Sequence, residues 1–140
     1  MNRFILAVAF STLAVAAVAQ PRASAPPGAK VYFITPKSGA TVQNPVVVKF
    51  GLKGMTIAPA GTQTENSGHH HLLVDTDLRD LNLSAPLPAT DKVLHFGKGQ
   101  TETTLTLPPG KHTLELVFAD YQHLSFDPPL HSKKITITVK

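Results

Sequence analysis

The fold of this chain is decided by residues 111–119, KHTLELVFA. Apolar side chains recur there at every second position, at Leu114, Leu116 and Phe118. A period of two is that of a β-strand that buries one of its faces. Residues 133–139, KKITITV, repeat the pattern, so at least two strands face a common core.

Five more stretches, separated by Gly, Pro and Asn turns, have the same strand character. No helical pattern follows the first 20 residues, and short alternating strands in this number predict an all-β fold. We expect an immunoglobulin-like antiparallel β-sandwich of about seven strands over residues 30–140. The strands are predicted at residues 30–35, 46–52, 69–76, 92–96, 101–107, 111–119 and 133–139. The predicted core consists of Phe50, Leu72, Val74, Leu105, Leu114, Leu116, Phe118 and Ile137.

Seven histidines are distributed along these strands and their connections. In a sandwich of this kind, alternate connections lie at the same end. This topology predicts that His112 lies at one end and that the other six lie together at the opposite rim. The six are His69, His70, His71, His95, His123 and His131.

The run ENSGHHHLLVDTD, residues 65–77, contributes three consecutive histidines to this rim. His69 and His71 are two positions apart on a strand, so they point to one face, roughly 6.6 Å apart along it. His95 and His123 are placed to add further ligands. We therefore predict a metal site formed by His69, His71, His95 and His123. Copper is favoured if Met55 joins the site, and zinc if a carboxylate or water does.

Each histidine also has a structural interpretation. His112 stands at a strand corner, where a side-chain hydrogen bond often holds the turn, and His131 stands in a strand-entry segment. His70 is either a ligand or a buried, hydrogen-bonded residue. Near His95, Gln100 and Glu102 either support a histidine nitrogen or belong to a solvated turn.

The N-terminus predicts export. An arginine precedes an apolar run over residues 4–18, and the small-residue site Ala17-Val18-Ala19 follows, which is the layout of a signal peptide over residues 1–19. Residues 20–29, rich in Pro and Ala, are expected to be a disordered leader. We therefore expect a periplasmic or secreted protein without stable membrane insertion after cleavage. A retained N-terminal anchor is the alternative.

Charge and composition narrow the function classes. The net charge of +4 is spread over scattered lysines, so nucleic acid is not an expected partner. The chain has no cysteine and no Gly-x-Ser-x-Gly elbow, which favours a binding protein over an enzyme, although a hydrolytic zinc site stays open. The alternative to metal binding is an interaction module whose histidine-rich rim contacts a protein or a cell-envelope polymer.

Several stretches together resemble a bacterial exported family, domain of unknown function 4399. They are VYFITPKSGATVQNPVVVKFGLKGMTIAPAG, GHHHLLVD, HFGKGQTETTLTLPPGKHTLELVFAD and DPPLHSKKITITV. The resemblance covers nearly all of the chain after the signal. It implies an exported protein and no established activity.

Overall fold

The computed structural model describes residues 14, 16, 18, 19 and 21–140. The predicted signal peptide, residues 1–19, therefore lies largely outside the described residues. Within the described part, no helix is both long enough and apolar enough to span a bilayer. The strands are β1 (Lys30–Thr35), β2 (Thr41–Val42), β3 (Val46–Lys53), β4 (Thr56–Ile57), β5 (Ser67–Val74), β6 (Val93–His95), β7 (Glu102–Leu105), β8 (Gly110–Ala119), β9 (Ser125–His131) and β10 (Ile135–Val139), and a 3₁₀ helix spans Leu78–Asp80.

The strands form two sheets. The first has the order β1-β3-β7, and the second has the order β2-β10-β8-β5-β4, with β6 beside β5 and β9 beside β8. All pairs are antiparallel except the two short ones, β2 with β10 and β4 with β5. The seven predicted strands correspond to β1, β3, β5, β6, β7, β8 and β10, so the predicted immunoglobulin-like sandwich is confirmed.

The main core lies between the two sheets. All eight predicted core residues are buried there, and none exposes more than 8% of its surface. They come from both sheets, which is what joins the sheets into one unit. The alternation of apolar residues in β3, β8 and β10 therefore identified the inward faces correctly.

A second, smaller core covers the outer face of the second sheet. The segment between β5 and β6 folds over this face, where its Leu78 and Leu87 pack with Leu73, Val93 and Val117. As a result β5 is buried on both faces along its whole length. A strand covered on both sides has no solvent face, which explains why HHHLLV does not alternate between polar and apolar residues.

The connection between β8 and β10 contains a strand that was not predicted from the sequence. Its second half is β9, which pairs with the end of β8 through Val117 opposite His131 and Phe118 opposite Leu130. Pro128 and Pro129 hid this strand, because proline lacks an amide donor and is tolerated mainly in edge strands. What remains between β8 and β9 is a tight turn over residues 120–124.

Residues 20–29 were expected to be a disordered leader, and the described part of this segment, residues 21–29, contacts β9 through residues 22–24. The Asp127 amide donates to the Ala23 carbonyl at 2.8 Å, and the Ser24 hydroxyl donates to the Asp127 carbonyl at 2.9 Å. Arg22 forms an ion pair with the Asp127 carboxylate at 3.1 Å. Composition alone did not reveal this docking, because its partner strand was not predicted.

His112 has the structural role expected from its place at the start of β8, next to the corner. Its Nδ1 lies 2.7 Å from Asp75 Oδ2, and its Nε2 lies 2.7 Å from the Pro108 carbonyl oxygen. Both partners are acceptors, so both ring nitrogens donate when the imidazole is charged. The hydrogen bond with Asp75, followed by that with Pro108, raises the pKa of His112.

Candidate metal centre

Strand β5 directs two of its histidines to the outer face of the second sheet. His69 and His71 share that face with Leu73, whereas His70 points inward with Leu72 and Val74. All three imidazoles are fully buried. The predicted i, i+2 arrangement of His69 and His71 is therefore present, with their ring centroids 4.9 Å apart.

Strand β6 brings His95 to the same place. It pairs antiparallel with β5, and its His95 lies directly opposite His71. Gly97 leaves room for the ring, because a Cβ at that position would lie 2.3 Å from His95 Cε1 and 2.7 Å from its Nε2. The HFG motif thus combines one imidazole donor with the glycine that accommodates it.

The turn between β8 and β9 supplies His123. Its backbone has a φ of 66°, a left-handed conformation that histidine adopts more readily than most residues. Asp120 holds the turn, since its Oδ1 accepts from the amides of Gln122 at 2.8 Å and Leu124 at 2.9 Å. The His123 carbonyl accepts from the Leu87 amide at 2.8 Å, which attaches the covering segment to this turn.

Three imidazole nitrogens converge at this point. His95 Nε2 lies 3.1 Å from His69 Nε2 and 2.9 Å from His123 Nε2. Ligand nitrogens around a tetrahedral zinc ion with bonds of about 2.0–2.1 Å are about 3.3 Å apart. The two distances from His95 Nε2 are within a few tenths of an ångström of this separation, and all three nitrogens lie within 4.8 Å of one another, so they could hold one ion.

His71 lies beside this triad without belonging to it. Its ring centroid is 5.1 Å from that of His95 and 6.0 Å from that of His123. Both of its nitrogens are buried and lack a hydrogen-bond partner, as does Nδ1 of His69. The structure thus brings all four predicted ligands together as rings, but brings the nitrogens of only three of them within 4.8 Å of one another.

Burial and the neighbouring imidazoles keep His69, His71 and His95 neutral. Burial lowers the pKa of His69 to about 4, with His123 and His95 adding to the effect. Burial also lowers the pKa of His71 to about 2 and acts in the same direction on the pKa of His95. A metal ligand must present an unprotonated nitrogen, and His69, His71 and His95 are in that form at neutral pH.

The prediction that six histidines meet at one rim is wrong. His70 faces the inner core, where its ring lies 5.1 Å from both Phe50 and Phe118. His131 belongs to β9, and its Nδ1 contacts Glu115 Oε1 at 2.9 Å. The other four lie together on the outer sheet face. Alternation along β5 and the unforeseen β9 account for the difference.

Other residues considered as ligands or supports have other partners. Met55 packs against the core between the sheets. Gln100 accepts from the Lys98 amide at 2.9 Å within its own turn, and Glu102 lies 3.9 Å from Lys49. Sequence reasoning did not recognise Gly97 and Asp120 as positioning residues. The glycine directly after His95-Phe96 was the available signal for close approach.

The fold and the cluster define a class: an immunoglobulin-like β-sandwich with a histidine centre that could hold a metal ion. The chain belongs to the family described as domain of unknown function (DUF4399), whose model matches residues 48–140. The matched region includes all four clustered histidines. No curated protein and no solved structure matched the chain.

Proposed function

We propose that this is an exported protein that binds a copper or zinc ion in the cluster of His69, His71, His95 and His123, with the ion held by the three converging nitrogens. The observation that carries the proposal is the pair of short contacts made by His95 Nε2, at 3.1 and 2.9 Å. One imidazole nitrogen carries either one proton or one lone pair, so it satisfies one good hydrogen bond and not two. An ion between the three nitrogens removes this conflict.

Burial favours metal binding over an interaction surface. His69 and His71 are fully buried, so they are not available to a protein or polymer that contacts the outside. Their unpartnered nitrogens are costly, because a buried polar atom without a partner loses its hydration without compensation. A bound ion would be a partner for Nε2 of His69, which contacts another imidazole nitrogen, and would lie beside the His71 ring, whose two nitrogens are unpartnered.

Melting experiments test the proposal. Metal-free protein should gain stability from Cu²⁺ or Zn²⁺ at pH 7, by about 2.7 kcal/mol when the free ion reaches about 100 times its Kd. His95→Ala and His123→Ala should remove most of the gain, since each deletes one converging nitrogen. Protons compete with the ion for these nitrogens, so the gain should be much smaller in mild acid.

The control is His131→Ala, which removes an exposed histidine from the same sheet, outside the cluster. It should keep the full metal-dependent rise in melting temperature even if its baseline stability changes. The proposal is wrong if neither ion stabilises the wild type, or if His131→Ala loses the gain to the same degree as His95→Ala.

Gly97→Ala should weaken metal binding without removing any donor. The new Cβ displaces the His95 ring, because it would lie 2.3 Å from Cε1. We expect Kd to rise about tenfold or more, which corresponds to about 1.4 kcal/mol. Titration of the single variants and of the double variant with His95→Ala checks this. If Gly97→Ala weakens binding just as much when His95 is already absent, the steric explanation is incorrect.

Export is the second part of the proposal, and the charged start, apolar run and small-residue site of residues 1–19 support it. The intact mass of protein recovered from the periplasm should correspond to a chain that begins near Gln20. Recovery of the uncleaved chain in the membrane fraction would instead indicate an anchored form.

A further inference from the structure

The donor set of the cluster is neutral. Among the described residues, the ligand atoms grouped within 4.8 Å belong to His69, His95 and His123, with no carboxylate oxygen among them. The chain also has no cysteine. Imidazole ligates in its uncharged form, so the bound complex would keep the entire charge of its ion.

One wall of the site is apolar and fully buried, whereas His95 and His123 on its other side are partly buried. On the outer face of β8, the residues opposite His69 and His71 are Ala119 and Val117, and all four are fully buried. The Born cost of moving an ion out of water grows with the square of its charge. At the same site the desolvation cost of a divalent ion is therefore about four times that of a monovalent ion.

The number and arrangement of the donors also discriminate between ions. Three nitrogens converge, from two strands and a turn, and the three rings are inclined to one another by 50° to 80°. Cu²⁺ favours a tetragonal set of nitrogen and oxygen donors. Cu⁺ and Zn²⁺ have filled d shells and no such demand, which leaves charge to decide between them.

On the basis of the metal-binding function proposed above, we infer that the ion is Cu⁺, held by Nε2 of His69, His95 and His123. His71 is the buried imidazole behind the triad that closes its inner side to water. The neutral donors and apolar wall favour a single positive charge, and the triad provides the low coordination number that Cu⁺ accepts.

Competition titrations test this inference on the metal-free protein under nitrogen. Cu⁺ is supplied as its acetonitrile complex and competed with bicinchoninate, while Zn²⁺ is competed with 4-(2-pyridylazo)resorcinol. The protein should bind one equivalent of Cu⁺ with a Kd about a hundredfold or more below its Kd for Zn²⁺. His95→Ala should lose the Cu⁺ binding, and His131→Ala should keep it.

A variant with an anionic donor tests whether the neutral donor set is the reason for the preference for Cu⁺. His123→Glu replaces a neutral donor with an anionic one, so the ratio of Cu⁺ to Zn²⁺ affinity should fall by about tenfold or more. Gln122→Glu is the matched control, because it adds the same charge at an exposed neighbouring position without changing a donor. Its ratio should stay near that of the wild type.

The outcomes separate the inference from the function on which it rests. If neither ion binds, metal binding itself is refuted. If Zn²⁺ binds as tightly as Cu⁺, the protein is a metal binder and the Cu⁺ inference is overturned. The inference is also overturned if His123→Glu and Gln122→Glu leave the affinity ratio equally unchanged.

Discussion

Acidification from pH 7 to pH 5 is expected to destabilise the metal-free protein by several kcal/mol. Burial holds the pKa of His69 and His70 at about 4 and that of His71 at about 2, whereas histidines in the unfolded chain titrate near 6.5. Below pH 6.5 the unfolded state therefore binds protons that the folded state does not. Stability falls with pH by up to about 1.4 kcal/mol per unit for each histidine.

Three such histidines contribute up to about 2 kcal/mol each at pH 5, which together is comparable with the total stability of a small domain. His112 acts in the opposite direction, since its raised pKa adds stability as the pH falls. Ordinary carboxyl groups titrate mainly below this window. Urea melts of metal-free protein at several pH values between 7 and 5 measure the net loss.

His70→Leu provides the matched test, because it replaces the inward imidazole with an apolar side chain of similar volume between Phe50 and Phe118. Leucine binds no proton, so the pH dependence of this variant should be weaker by about 1.4 kcal/mol per unit below pH 6.5. A wild type whose stability does not change from pH 7 to pH 5, or a variant with the same slope, would contradict the assignment of neutral buried imidazoles.

Leu116→Ala should cost about 2–5 kcal/mol, the range for large-to-small changes in a packed core. Leu116 is fully buried in the middle of β8 and lies opposite Leu72 of β5. Its amide donates to the Ser132 hydroxyl at 2.9 Å, so the backbone is held in place and cannot easily collapse into the cavity.

The measurement is the free energy of unfolding in urea, with Val47→Ala as the control. Val47 lies on a strand of the first sheet but is 47% exposed, so its truncation should cost well under half as much. A loss below about 1 kcal/mol for Leu116→Ala would show that the inward face of β8 is incorrectly assigned.

The sequence predicted the sheet architecture because burial on one face produces a visible period of two. Leu114, Leu116 and Phe118 are an example, and all of them reach the core. The period of two is absent from β5, which is buried on both faces, and from β9, where prolines interrupt the strand. Of these two strands, only β9 was not predicted. The docking of residues 21–29 depends on β9, so it was missed for the same reason.

The order of the predicted strands was enough to predict that the clustered histidines lie close together, but not how each one is placed in the site. Strand order placed His69, His71, His95 and His123 near one another. Their common position on the outer sheet face depends on the register between β5 and β6 and on the turn between β8 and β9, neither of which a local pattern specifies. Likewise, the left-handed backbone of His123 depends on hydrogen bonds to Asp120 that become evident only once the turn is formed.

Strand β5 is hydrogen-bonded along both edges and covered on both faces. Amide hydrogens of such a strand exchange with solvent only when most of the domain opens. The turn that carries His123 lies outside this ladder, and His123 itself is only partly buried. The cluster thus joins two imidazoles on a slowly exchanging strand to one on a surface turn, whose amide hydrogens we expect to exchange faster than those of β5.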